Sequence, residues 1–415
     1  MNFDRNPTKV QIFDTTNRDG EQATEGALYG IESKLIIAQE LAKAGVDRIE
    51  AGFPASSKND FEAVQQIARE VQGPIIFGLA RVPIEECKVS FKDIDVAYEA
   101  VRDAENRGIH TFSIMFDRTS LKKYGCSRQQ VVEGAVKGVS HARGLLGDRG
   151  QVEFSFQNAA SAPREWVIDG YRKVVEAGAD VINVPDTNGT RTPDEIKEII
   201  TDLRRDLPAY VLISIHAHND LGLAVANSLA AVQAGADIVE GTVNGIGERS
   251  GNTALEEVIV NIFHRPELYG NRRTNVDLHK LNHLSALVAE HYGLPVPDHK
   301  AIVGANAFRH RSGIHQDGVI KEVAYEFIHP EIVGWEGEKF GLTARSGTAG
   351  VGARLKRLGY SLDPEVVKFE IMPLYKDLAD SKRHITDADL VSLMDLVNRA
   401  GTVTSLELHK VKRMS

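Results

Sequence analysis

Apolar and polar positions along the chain fall into repeating units in which a helical stretch is followed by a short apolar run. One theme occurs three times, as LAKAGVDRIEAG at 41–52, VVEAGADVINVP at 174–185 and AVQAGADIVEGT at 231–242. In each, a helix ends at Ala-Gly, the glycine supplies a left-handed cap, and a short polar turn leads into a β-branched run that predicts a buried strand. Five more runs predict strands in the gaps: KVQIFDT at 9–15, PIIFGL at 74–79, IHTFSIM at 109–115, QVEFS at 151–155 and VLISIH at 211–216. Strands alternating with amphipathic helices imply parallel pairing through right-handed crossovers. Eight such units match a closed (β/α)8 TIM barrel, which typically takes ~250 residues. An open doubly wound sheet would show a Gly-rich dinucleotide turn after its first strand, and no GxGxxG follows KVQIFDT.

From about residue 270 the pattern changes. DLHKLNHLSALVAEHYG is helical, 294–347 is rich in loops, and helical segments run on to about Gly401, after which the chain is strand-like and then basic. The expected division is a catalytic barrel over 1–270 and smaller, mainly helical subdomains over 271–415. With no Gly/Ser or Pro-type linker between them, the second region is expected to pack on the barrel or on a neighbouring subunit.

Composition adds the class of partner. The 415 residues are 42% hydrophobic and 26% charged, as in ordinary globular proteins, and the net charge is −9 with Lys and Arg scattered rather than clustered. That balance speaks against nucleic acid and anionic membranes, and for small molecules. The N-terminus has no apolar signal region and no run of 18 apolar residues occurs, so a soluble, cytoplasmic protein is expected. Cys87 and Cys126 are far apart and lack a partner motif, which suits free thiols in a reducing compartment.

In such a barrel the reacting groups sit at the C-terminal ends of the strands. The first strand runs into DTTNRDGEQ, which places Asp14, Arg18, Asp19 and Glu21 at that mouth, and the seventh runs into HAHND, which places His216 and His218 there. Two residues apart on an extended strand, the histidines point to one side and can share a metal, with Asp19 adding a carboxylate from across the mouth. Such a mixed N/O set with open positions suits a divalent Lewis acid acting on a bidentate oxygen ligand, and a 2-oxo acid is one. The eighth strand leads into EGTVNGIGERSGNTALEE, a Gly-rich loop carrying Glu248, Arg249 and Asn252, before a helix for which Thr253 and Glu256 offer a capping box.

Taken together, DTTNRDGEQ, IEAGFPASS, INVPDTNG, HAHNDLGLAVANSLAAVQAGA, EGTVNGIGERSGN and GANAFRHRSGIHQDG resemble, over nearly the whole chain, the 2-isopropylmalate synthases and their homocitrate, citramalate and methylthioalkylmalate synthase relatives. Members of that family condense acetyl-CoA with a 2-oxo acid and hydrolyse the thioester to give a 2-substituted malate. The resemblance implies Asp19, His216, His218 and Asn252 as metal ligands, Arg18 as the cation that stabilises the enolate and polarised carbonyl, and Thr187 as a contact to the acceptor's carboxylate. It puts His110 and Ser155 in the same pocket, and Glu248 and Arg249 near the metal and the acyl-CoA. It assigns proton transfer to His315 and Tyr325, reaching in from a neighbouring subunit and so implying a homodimer. The implied cofactor is a divalent metal, Mg or Mn with Zn as the alternative, with acetyl-CoA as co-substrate and leucine biosynthesis as the setting.

Departures from the family pattern bear on the acceptor. A Ser-Pro-Glu-Asp stretch is replaced by Ser155-Phe156-Gln157-Asn158, so a carboxylate implicated in acid/base work becomes an amide, which cannot take a proton near neutral pH. Met115-Phe116 stands for a Thr-Ser pair, Asn17 for an apolar residue, and Thr343-Ala344-Arg345-Ser346-Gly347 for Gly-Lys-His-Ser-Gly. A Met and a Phe make the pocket wall more apolar and predict an acceptor with an apolar side chain, branched or aromatic, rather than 2-oxoglutarate. The alternatives are a benzylmalate, citramalate or homocitrate synthase of the same family, or a metal-dependent C–C lyase of the HMG-CoA lyase type, which shares the Arg-Asp and HxH elements. A third, a barrel without activity, is motivated by Gln157 alone. Ending at residue 415, the chain is expected to lack the leucine-responsive extension and its feedback inhibition.

Overall fold

The structure is a computed structural model that describes every residue except 1–4, 24–29, 83, 86–87, 114–121, 123–124, 322–324, 383–384 and 401–415. The strand-like tail beyond Gly401 therefore lies outside the described residues. Eight parallel strands close into a barrel: β1 Gln11–Asp14, β2 Arg48–Gly52, β3 Ile75–Arg81, β4 Arg107–Ser113, β5 Gly150–Phe156, β6 Val181–Asp186, β7 Leu212–Ala217 and β8 Ile238–Gly241. Each pairs with its neighbours in sequence, and β8 pairs with β1. Helices follow the strands, among them α1 Ile31–Lys43, α2 Lys58–Glu70, α3 Lys92–Val101, α4 Arg128–Leu146, α5 Arg164–Glu176, α6 Pro193–Asp206, α7 Ala224–Gln233 and α8 Leu255–His264. All eight strands expected from the sequence are present, and so are the left-handed caps at Gly45, Gly178 and Gly235.

The polar turn of the threefold motif has a structural task. Asp47, Asp180 and Asp237 occupy the same place in each copy, and each carboxylate accepts a backbone N–H from the preceding strand: Ile12 at 2.9 Å, Val152 at 2.8 Å and Ile213 at 3.0 Å. Each also pairs with a cation, Lys9, Arg143 and Arg204 respectively. These side chains tie one strand to the next at the N-terminal end of the barrel, opposite the end where the reacting groups are expected.

Inside, an apolar floor of Phe13, Phe77, Val181, Leu212 and Ile238 fills the lumen. Gly108 leaves the room that Phe77 needs, since a Cβ there would stand 2.3 Å from the ring. Two residues further along their strands, Val181, Leu212 and Ile238 give way to Asn183, Ser214 and Glu240, and the interior turns polar. On the outer face Ile12, Ile49, Ile76, Val152, Ile182, Ile213 and Val239 are fully buried. That two-sided burial explains why the strands read as continuous apolar runs.

The barrel unit extends to Val296, beyond the change of pattern near residue 270. It takes in α9, Leu281–Tyr292, because Ser285 exchanges hydrogen bonds with Asn244 and Tyr292 OH donates to Thr16 O at 3.1 Å. One local expectation fails. Helix α8 has Ala254 at its N-cap and no capping box: Thr253 Oγ1 is engaged with Ser228 Oγ at 2.8 Å, and Glu256 accepts from Asn244 N at 3.0 Å. The second unit, from Pro297 onward, is mainly helical, and its core gathers Val351, Leu355, Ile371, Tyr375, Leu390 and Met394.

Asp237 offers a test of the basal pins. Asp237→Ala removes the acceptor of a buried N–H and the partner of Arg204, and should lower stability by about 3 kcal/mol. Asp237→Asn, which keeps an oxygen for Ile213 N, should cost less. Urea denaturation of the three proteins checks it, and equal midpoints would show that the pins are dispensable.

Candidate active site

β1 ends in a tight turn in which Asp19 N bonds to Thr15 O at 2.8 Å, and this turn carries Arg18 and Asp19 over the C-terminal mouth. The turn separates the four charged residues that the sequence groups there. Asp14 does not line the cavity. It faces back, accepts from Thr16 N (2.9 Å) and Thr16 Oγ1 (2.8 Å), and burial pushes its carboxyl up to about 7 even though those hydrogen bonds act to lower it. Glu21 pairs with the buried Lys34 at 2.6 Å.

Arg18 is held on two sides. Its Nη1 donates to Asp19 Oδ2 at 2.8 Å and its Nε to Glu50, a fully buried carboxylate on β2. Burial works against both charges, but the pair offsets it, holding Glu50 below the usual carboxylate range and driving Arg18 up. Glu50 also accepts from His110 Nδ1 at 2.8 Å, and the other ring nitrogen, Nε2, lies 2.7 Å from Ser155 Oγ. Since a carboxylate can only accept, Nδ1 carries the proton, and in the neutral ring Nε2 then accepts from the Ser155 hydroxyl. Ser155 Oγ in turn accepts from Asn183 Nδ2 at 3.0 Å. Thr187 Oγ1 accepts from Asn158 N at 2.9 Å, which orients its O–H to donate elsewhere.

Beside Arg18 three groups converge. His216 Nε2 and His218 Nε2 are 3.2 Å apart, and Asp19 Oδ2 stands 3.3 Å and 3.8 Å from them. All three are buried, and their ligand atoms lie within 4.8 Å of one another. Asp19 Oδ1 and Asn252 Oδ1 are buried without a hydrogen-bond partner. Buried oxygens left unpaired are costly, and two of them beside a pair of imidazoles suit a cation. The Gly-rich loop brings Asn252 here. His218 and Asn252 form a β-bridge, and at Gly247 (φ 151°) a Cβ would collide with the Asn252 amide at 2.1 Å. The donor set, two imidazoles, a carboxylate and an amide oxygen, fits a divalent ion.

Charges around this set favour positive charge within it, whether a proton or a metal ion. Burial raises Asp19, but Arg18 and the imidazoles outweigh it and hold the carboxyl well below its usual range. Burial and the neighbouring His216 push His218 down to about 4, so it is a ready neutral ligand. His216 is pushed up to about 9, because Asp19 and Glu240 outweigh its burial. Glu240 Oε2 stands 3.0 Å from His216 Nδ1, the carboxylate–imidazole arrangement that orients a metal-bound histidine.

These residues surround one cavity of about 370 Å³. Of the residues singled out in the sequence, Arg18, Asp19, His110, Ser155, Gln157, Thr187, His216, His218, Glu248 and Arg249 line it. Met115 and Phe116 lie outside the described residues. His315 and Tyr325 belong to the second unit, where their rings stack at 4.0 Å and Tyr325 is half exposed. Sequence reasoning missed Glu50, Asn183 and Glu240, and the apolar wall of Phe53, Leu79 and Phe112. A signal for the first three existed: they fill the same position in the three copies of the repeat, a polar residue inside an apolar strand.

Residues 9–288 match the HMGL-like family, and residues 302–383 the homocitrate synthase post-HMGL domain-like family. The chain is 46% identical over 392 residues to the 2-isopropylmalate synthase of Pyrococcus furiosus, covering 93% of this chain and 75% of that protein. It is 48% identical over 389 residues to that of Pyrococcus abyssi, covering 93% and 77%. Among solved structures, the HMG-CoA lyase of Bacillus subtilis superposes with a TM-score of 0.57 at 21% identity, over 70% of this chain and 96% of that one. The carboxyl transferase domain of Rhizobium etli pyruvate carboxylase gives 0.54 at 18% identity, over 74% and 51%. At such identities the structural likeness establishes the fold alone.

The metal assignment is open to direct measurement. Asp19→Ala or His218→Ala should lose bound divalent metal and at least about 100-fold of turnover together, because the remaining ligands leave the ion under-coordinated. Metal analysis of the purified variants decides it, and full occupancy with a normal rate in either would remove the assignment.

Proposed function

This chain belongs to the 2-isopropylmalate synthase family, and we propose that it joins acetyl-CoA to a neutral, apolar 2-oxo acid in the cavity at the mouth of its barrel. As in that family, the enzyme is an acyl-CoA-dependent transferase that uses a divalent metal. The observation that carries the acceptor class is the pairing of charge around the cavity. Its two arginines among the described lining residues are both committed, Arg18 to Asp19 and Glu50, and Arg249 to Asp220 at 2.7 Å. Neither is left for a second carboxylate on the substrate, while Phe53, Leu79 and Phe112 give the wall an apolar surface.

A divalent ion held by Asp19, His216, His218 and Asn252 would act as a Lewis acid on the oxygens of the 2-oxo acid, and Mg or Mn suits this oxygen-bearing set as Zn also does. The chain's own residues do the rest. Thr187 donates to the acceptor's carboxylate, and Ser155 and His110, fixed by Asn183 and Glu50, shape the floor beneath it. Arg18, locked by two carboxylates, places a fixed positive charge where negative charge develops on the thioester and keto oxygens, at no cost of reorganisation.

Deprotonation of the acetyl methyl group needs a base, which the Gln157 amide cannot be. Of the carboxylates among the described lining residues, Asp19 serves the metal and Glu240 is buried against His216, which leaves Glu248 on the loop after β8. Glu248 is that base in our reading. His315 and Tyr325 of a second copy assist proton transfer, a role supported by the family resemblance and by their stacked, solvent-accessible rings.

Two measurements test this. In a panel of 2-oxo acids assayed by CoA release with Mg, Mn and Zn, branched or aromatic neutral acceptors should outrun 2-oxoglutarate by more than about 100-fold. Among themselves they should differ by roughly 10- to 200-fold, since an apolar pocket discriminates weakly. A preference for 2-oxoglutarate would overturn the acceptor class. Glu248→Gln should lower kcat by about 100-fold or more while leaving bound metal in place, in line with loss of a general base, and an unchanged kcat would assign the proton to another group.

A further inference from the structure

Asn17 sits inside the turn that carries Arg18 and Asp19, and it is fully buried. The family resemblance leads one to expect an apolar side chain there, and a buried amide is unfavourable unless its polar atoms are met. Here they are met from two sides. Nδ2 donates to the carbonyl oxygen of Lys34 on α1 at 2.9 Å, and Oδ1 accepts from Tyr292 OH on α9 at 3.2 Å. The same hydroxyl lies 3.1 Å from Thr16 O, so its single proton is shared between two successive residues of the turn.

Lys34 extends the connection. Its ammonium is buried, pairs with Glu21 at 2.6 Å and also with Asp60, and Asp60 accepts the backbone N–H of Phe53 at 2.6 Å. A continuous path of hydrogen bonds and ion pairs therefore runs from the turn bearing the guanidinium and the metal-binding carboxylate, through Asn17 and Lys34, to Phe53 in the acceptor wall. Only the carboxylate end of this turn is held by the proposed metal centre. A leucine at 17 could fill the volume but would leave Lys34 O and Tyr292 OH without this partner, and the turn would lose its link to α1.

We propose that Asn17 is a positioning residue which, with Tyr292 and Lys34, fixes the Arg18–Asp19 turn against the acceptor wall. This rests on the reading that Arg18 and Asp19 act on the substrates. Placement of such groups must hold to within about 0.5 Å, and a shift of about 1 Å can cost 100-fold in rate.

The test uses the metal-loaded full chain and measures kcat, KM for the acceptor, bound metal and thermal midpoint in Asn17→Leu, Tyr292→Phe, the double variant and Arg18→Lys. Each single tether variant should lower kcat by about 10- to 100-fold with KM within about threefold and metal content unchanged. The double variant should lose clearly less than the product of the two single losses, because both changes break the shared Asn17–Tyr292 contact. Wild-type kcat in both singles, or losses that multiply in the double, would overturn the proposal and leave Asn17 as filling alone. Arg18→Lys separates the two ideas. If it keeps the wild-type rate, the reading of the site falls and the tether with it; if it is inactive while both tether variants are fully active, the tether alone falls. Should Asn17→Leu fail to fold, Tyr292→Phe, which removes one hydroxyl, decides by its kcat.

Discussion

Charge cannot be buried in a barrel unless it is paired, and the arrangement of this site follows from that requirement. Taking an ion from water into a protein interior costs several kcal/mol even after relaxation. The chain nevertheless buries Asp19, Arg48, Glu50, Glu153, Glu240 and both histidines of the HxH pair in and around one lumen. The pairing that makes this tolerable also fixes geometry. Glu50 divides its two oxygens between Arg18 and His110, so the guanidinium and the imidazole are set relative to each other by a single carboxylate. A site assembled from separately solvated groups would have to order them anew in each catalytic cycle.

The same logic runs below the candidate metal ligands. Arg48, fully buried on β2, donates to Gln11 and Gln151 and stands 3.9 Å from Glu153. Burial and the nearby Glu240 drive the Glu153 carboxyl well above its usual range, while contact with His216 holds Glu240 down at about 2 against its burial. The two carboxyls are thus pushed in opposite directions, and the one held down is the one that faces a candidate metal ligand. The barrel thus changes from an apolar floor, through a layer where charge is counted and matched, to an open mouth lined by Arg18, Asp19 and the two histidines.

Much of this was legible in the sequence, and the limits have physical causes. The strands and the Gly caps could be read because parallel barrels bury both faces of each strand and stop each helix the same way. That Asp19, His216 and His218 come together could be read because HxH and Arg-Asp fall at strand ends, on the face where such barrels place reacting groups. Glu50 and Glu240 escaped notice because a charged residue within an apolar run looks like an interruption until its partners on other strands and loops, such as Arg18, His110 and His216, are known. The capping box at Thr253 failed for a related reason: local spacing offered a cap, but tertiary contacts with Ser228 and Asn244 took both side chains. Likewise, α9 reads as the start of a new region and yet belongs to the barrel through Tyr292 and Ser285.

Selectivity in such a cavity is asymmetric, and the reason lies in the same rule about buried charge. Phe53, Leu79 and Phe112 can offer only contact area, so one methylene more or less on the acceptor is worth about 1–3 kcal/mol. Isosteres are consequently poorly resolved. A carboxylate tail is a different matter, because Arg18 and Arg249 already have their counter-ions and Gln157 brings no charge of its own. Entering with a second carboxylate would bury an unpaired charge or break an existing pair, and either penalty exceeds what an apolar wall can return. On the proposed reading, the uncharged Gln157 in the lining therefore leaves discrimination to packing for neutral side chains and to unmet charge for acidic ones.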